Sequence, residues 1–92
     1  MYLEIVDNKV IPDKKSNYIA EAKKFSKDLS EITGCSCSTV YHDDNSDIVT
    51  IMNKWNDKKS MESSEAGNVF LNHKSKMKPF FINNERMVYK EI

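Results

Sequence analysis

Hydrophobic periodicity along the chain predicts an α+β domain of order β-α-β-β-α-β, an antiparallel sheet with both helices on one face. Three observations lead there. A long helical-period segment follows an alternating one, two β-rich stretches are joined by a short polar turn, and a second helical stretch ends at a proline before a last alternating run. At 92 residues the chain is one domain, 1–92, with 39% apolar residues. A domain this small buries a modest share of its surface and gains core by associating with a copy of itself.

Tyr2 to Ile11 alternates, with Leu3, Ile5, Asp7, Lys9 and Ile11 on one face and Glu4, Val6, Asn8 and Val10 on the other. Apolar residues on both faces predict a strand covered on both sides. Pro12 and Asp13 form a helix entry. From Asp13 to Thr33 the apolar residues Tyr18, Ala22, Phe25, Leu29 and Ile32 recur at steps of four and three, one stripe of a helix. Gly34 is placed to close it. Cys35–His42 and Asp47–Trp55, separated by Asp43–Ser46, predict a hairpin. Asn56 or Asp57 caps a short helix carrying Met61. Gly67 and Asn68 are expected to interrupt it. Val69, Phe70, His73 and Met77 then fall at helical steps before Pro79. Asn83 and Asn84 are expected to turn the chain into a last strand, Arg86–Ile92. The order is that of the ferredoxin-like split β-α-β arrangement. Its uncovered sheet face would be met by a second copy, which predicts a homodimer.

Lys plus Arg and Asp plus Glu are 14 each, so the net charge is zero. This balance argues against nucleic acid or an anionic membrane as partner. No stretch approaches the roughly 20 apolar residues of a membrane span, and the N-terminus lacks signal-peptide features. Cys35 and Cys37 are the only cysteines; a C-x-C pair without other ligands predicts packing rather than a metal site or disulfide, and with it a reducing cytoplasm. There is no Gly-rich phosphate loop, no metal-spaced His/Cys set and no nucleophile elbow, which argues against phosphoryl transfer and nucleotide cofactors.

Several segments in order resemble one family. Lys9–Asp13, Thr33-Gly34-Cys35 followed by Tyr41-His42-Asp43, Asn53-Lys54-Trp55 running into Asn56–Met61, and Val69-Phe70 with His73 are similar to the corresponding stretches of the antibiotic biosynthesis monooxygenase family. The resemblance covers nearly the whole chain. It implies a dimeric α/β barrel and oxidation of phenolic, anthrone-like or quinol substrates by dioxygen without metal, flavin or haem, so no cofactor is expected. Trp55 matches the strand-end tryptophan of the anthrone-oxidising branch. That branch's asparagine and helix tyrosine fall on Ile51 and Met61, which become expected substrate contacts beside Phe70. Glu two residues before the tryptophan, usual in many relatives, is Asn53 here, and a common helix histidine is Glu65. A second branch degrades haem; its helix tryptophan and haem-ligating histidine fall on Ser64 and Lys74, and its strand asparagine near Val6 or Asn8.

The residues themselves add roles. Asn53 and Trp55 share a strand face, where an amide could bind a substrate oxygen beside a ring that stacks on the substrate. His73, in line with Phe70 and Met77, could act as the base for a phenolic proton. Asn8 is a polar group among apolar neighbours on the first strand. The expected catalytic residues are therefore His73 and Asn53, with Trp55, Asn8, Ile51, Met61 and Phe70 binding substrate. The alternatives are a dimer that binds small molecules without oxidising them, motivated by the departures at Ile51, Met61 and Glu65, and a haem-binding or haem-degrading protein.

Overall fold

The structure is a computed structural model describing residues 1–92. Its elements are β1 (Tyr2–Val10), α1 (Lys15–Ser30), β2 (Cys35–His42), β3 (Ile48–Trp55), α2 (Lys58–Met61), α3 (Ser64–Met77) and β4 (Phe81–Lys90). Short 3₁₀ turns at Pro12–Lys14 and Lys78–Phe80 lead into α1 and β4. The sheet is antiparallel with strand order β2-β3-β1-β4, and the order of elements is the ferredoxin-like one that the periodicity predicts.

The core lies between the sheet and the helices. Val10, Val49, Ile51 and Trp55 from β1 and β3 meet Tyr18, Ala22, Phe25 and Leu29 from α1, closed by Met61 and Met77. The α1 stripe read from the sequence supplies four of these ten residues. On β3 burial alternates at Val49, Ile51, Asn53 and Trp55, the period-two signature of a strand with one covered face. Burial of Trp55, 1% exposed, removes a large apolar area from water, and its truncation to alanine costs about 3–5 kcal/mol.

Three features differ from the sequence reading, and a fourth adds to it. First, α1 ends at Ser30, where the Glu31 N–H returns to the Asp28 carbonyl and the Ile32 N–H to that of Leu29. Gly34 lies beyond it, at φ 92°, and its carbonyl accepts the Asn56 N–H at 2.7 Å. A Cβ there would collide with the Ser60 side chain, so this glycine serves the approach of α2 as well as the backbone conformation. Second, the helical break falls at Glu62 and Ser63, not at Gly67 and Asn68. The Ser63 hydroxyl accepts the Ala66 N–H and starts α3 anew, and this cap outweighs the low helix propensity of Gly67. Third, Asn83 and Asn84 do not turn the chain: they pair with Lys9 and Asn8 within β4, because ladder bonds to β1 override their turn preference. Fourth, the ladder between β2 and β3 shifts between Cys35, opposite Trp55, and Cys37, opposite Lys54. The bulge turns the two cysteines to opposite faces of the sheet. Both thiols are free, and burial, then the neighbouring Cys37, pushes the Cys35 thiol up.

The second sheet face carries Leu3, Ile5, Met52 and Met87, all half-buried, with Tyr41 and Tyr89 each 53% exposed. Only 13 of 92 residues are buried in the single chain, so much of its apolar surface is still unpaired. No helix is long and apolar enough to cross a membrane.

Candidate active site

A cleft opens between the helices and the inner sheet face. Its main arm, about 410 Å³, runs past β1, β3 and β4 on one side and all three helices on the other. A second arm of about 370 Å³ shares Asn8, Tyr18, Phe70, Met77 and Asn84 with the first, so the two form one space. The walls are mostly apolar and a few polar groups converge on them, the general make-up of a small-molecule site.

Glu4 sits at the centre of the polar end. Its Oε1 accepts the Asn53 amide at 3.0 Å and the Trp55 indole N–H at 3.1 Å, and its Oε2 accepts the Arg86 Nε at 2.7 Å. The register explains this convergence: Glu4 is paired with Asn53 on β3 and with Val88 on β4, two residues from Arg86, all on the inner face. The Glu4 side chain is 13% exposed, the Arg86 side chain half exposed. Asn53 is in turn held from behind. Its Oδ1 accepts the Ser38 hydroxyl at 2.6 Å, and Ser38 is 2.6 Å from the Ser26 hydroxyl on α1. This anchoring leaves the amide one orientation, with its NH₂ towards Glu4.

The second polar group lies at the junction of the arms. Asn8, 3% exposed, donates its amide to the carbonyls of Val6 at 3.2 Å and Val49 at 3.1 Å, which leaves Oδ1 as the acceptor on offer to the cleft. Tyr18, beside it, has its phenol pushed up to about 12 by burial. It stays a protonated hydrogen-bond donor throughout the neutral range.

Six of the residues singled out in the sequence line this cleft: Asn8, Ile51, Asn53, Trp55, Met61 and Phe70. His73 does not. Its Nε2 is 2.6 Å from the Asp28 carboxylate, and its ring stands edge-on to Phe25 with centroids 5.8 Å apart. Helical spacing puts His73 near Phe70, but α3 is rotated so that Phe70 borders the cleft while His73 packs against α1. Trp55 is buried and its N–H is already used by Glu4, so the indole is a wall rather than an exposed stacking platform. Glu4, Arg86, Tyr18 and Asn84 were missed as site residues. One signal was available for the first: Glu4 is the lone charge on the strand face it shares with Val6, Asn8 and Val10. The structure gathers no group of three or more His, Cys, Asp or Glu side chains able to hold a metal ion.

At the level of sequence, no family model matches the chain and no curated protein matches it. Solved structures do. A protein described as an antibiotic biosynthesis monooxygenase superposes with a TM-score of 0.77 at 7% identity, over 100% of this chain and 99% of the other. A mutant of SnoaB, a cofactor-independent oxygenase from Streptomyces nogalater, gives 0.79 at 12% identity over 98% and 92%. A Pseudomonas aeruginosa protein gives 0.85 at 13% identity over 99% and 93%. The chain thus has the ferredoxin-like fold of structures described as antibiotic biosynthesis monooxygenases. At these identities the likeness speaks for the fold, and activity must be argued from the cleft.

Proposed function

We propose that the protein is a member of the antibiotic biosynthesis monooxygenase family and a cofactor-independent monooxygenase that oxidises a small aromatic or quinol substrate with dioxygen. The observation that carries this reading is the apolar cleft ending in a carboxylate on which Asn53, Trp55 and Arg86 converge. The aromatic substrate fills the apolar part. Its hydroxyl meets Glu4, which accepts the phenolic proton. The Arg86 guanidinium and the Asn53 amide then lie beside the developing phenolate and favour the charged state. The electron-rich anion reduces dioxygen: one oxygen atom enters the ring, the other leaves as water, and a quinol becomes a hydroxyquinone. The substrate supplies all four electrons. At the other end Tyr18 donates to, and Asn8 accepts from, the far oxygen of the ring system. Glu4 and Asn8 are four residues apart on one strand, roughly 13 Å, which suits a fused ring system better than a single ring.

In this assignment Glu4 takes the proton-accepting role expected of His73, and Asn53 keeps a role beside the reacting oxygen. The working unit is a homodimer closed over the second sheet face. The test is oxygen uptake by metal-free protein with a panel of quinols and anthrones. Uptake with stoichiometric hydroxyquinone or quinone product is expected; ligands that bind in the cleft but consume no oxygen would overturn oxidation. The location of His73 outside the cleft favours one second reading, a dimer that binds such compounds without turning them over, and the same experiment separates the two.

A further inference from the structure

The charges along the cleft are not balanced as those of the chain are. Net charge over all residues is zero. The two arms are lined by Arg86, Lys74 and Lys78 against the single carboxylate of Glu4. Arg86 and Glu4 neutralise each other. Lys74 and Lys78 border the second arm and form no ion pair with any side chain of the protein. They are four residues apart, at the end of α3 and in the turn after it, so they lie one above the other on the same side. Like charges at this spacing repel. Lysines near a helix C-terminus also complement the helix dipole. Lys76 is placed for that purpose without bordering the cleft, so the dipole alone does not account for two cations at the mouth of the same arm.

We propose that the second arm recognises an acidic substituent on the aromatic ligand. The ring lies in the apolar junction between Tyr18, Phe70 and Met77, and the carboxylate sits between the Lys74 and Lys78 ammonium groups. An anion there relieves the repulsion between them and leaves the phenolic end of the ligand pointing along the main arm towards Glu4. This inference rests on the reading of the cleft as an aromatic-ligand site and names the class of ligand: aromatic or quinol acids rather than their neutral counterparts.

The experiment is anaerobic calorimetric titration of the whole protein with a fused-ring quinol acid, 1,4-dihydroxy-2-naphthoate, and with its methyl ester, which differ in one negative charge. The acid is expected to bind about tenfold more tightly at low salt. In the double variant K74Q/K78Q the preference should fall to about twofold or less, while K58Q/K59Q, which removes the same charge at two positions that line neither arm, should retain it. Equal binding of acid and ester, no binding of either, a preference that survives K74Q/K78Q, or one lost equally in K58Q/K59Q would overturn the proposal. Oxygen uptake is measured separately. A charge preference without uptake removes the oxygenase reading and leaves the subsite; uptake without the preference does the reverse.

Discussion

Glu4 carries the densest set of hydrogen bonds in the cleft, and its partners differ in what they can do. Trp55 is locked in the core, Asn53 is braced by Ser38, and Arg86 is half exposed. Replacement Glu4→Gln keeps the shape and removes the proton acceptor. Oxygen uptake with a quinol is expected to fall about 100-fold or more, the usual worth of a positioned general base. His73→Ala, which touches Asp28 and Phe25 rather than the cleft, should leave the rate within about twofold and cost about 1–2 kcal/mol in urea unfolding. The reverse pattern in stopped-flow oxygen consumption would return the proton-accepting role to the histidine. Tyr18 offers a pH test. Its phenol rises from 10.0 to about 12 on folding. Between those values the unfolded chain has lost the proton and the folded one holds it, so stability is present below pH 10 and declines as pH rises towards 12. Tyr18→Phe should flatten that part of the alkaline limb in denaturant titrations run at successive pH values.

At the scale of elements, α2 and α3 form one wall of the cleft, and two side-chain caps set where they begin. Asp57 accepts the Ser60 N–H at 2.7 Å, and this bond holds its carboxyl below the ordinary range; Ser63 accepts the Ala66 N–H at 3.2 Å. Gly67 lies in the first turns of α3 and borders the main arm, and a Cβ there would meet nothing within 4 Å. Gly67→Ala should therefore stabilise the protein by up to about 1 kcal/mol through helix propensity. The added methyl projects into free space along the cleft, so affinity for a bulky aromatic ligand should drop. A rise in melting temperature together with weaker binding in calorimetry is the expected pair of results; a rise with unchanged binding would show that no ligand approaches this wall.

For the whole molecule the governing fact is a sheet with two faces and helices on only one. The far face presents Leu3, Ile5, Met52 and Met87 with Tyr41 and Tyr89 around them, and burying such a surface is worth roughly 25 cal/mol per Å². A second copy bringing the same face is the economical cover, since a two-fold interface needs one self-complementary patch. Sedimentation should give a dimer at micromolar concentration. Ile5→Lys places a charge at the middle of that patch and should yield monomer with a lower melting temperature. A variant that still sediments as dimer would place the interface elsewhere.

Much was legible from residue order. The α1 stripe, the hairpin, the inner-face alternation of β3 and the position of Trp55 at its end are local patterns, because periods of 3.6 and 2.0 follow from backbone geometry and sort side chains before any long-range contact forms. Of the six cleft residues named from the sequence, Asn8, Asn53 and Phe70 lie on faces that the same periodicity shows, whereas Trp55, Ile51 and Met61 were reached through the family resemblance. What the sequence alone determined was therefore the elements, their order and the faces they bury. Which residues meet was decided by the tertiary structure. Strand register places Glu4 beside Asn53 and within reach of Arg86 across 82 positions of chain, and the roll of α3 about its axis sends Phe70 to the cleft and His73 to α1. Local rules also misplaced Asn83, Asn84 and Gly67, where ladder bonds and a serine cap outweighed residue preference. Register and rotation depend on the summed packing of distant segments, a quantity that no short window of sequence contains.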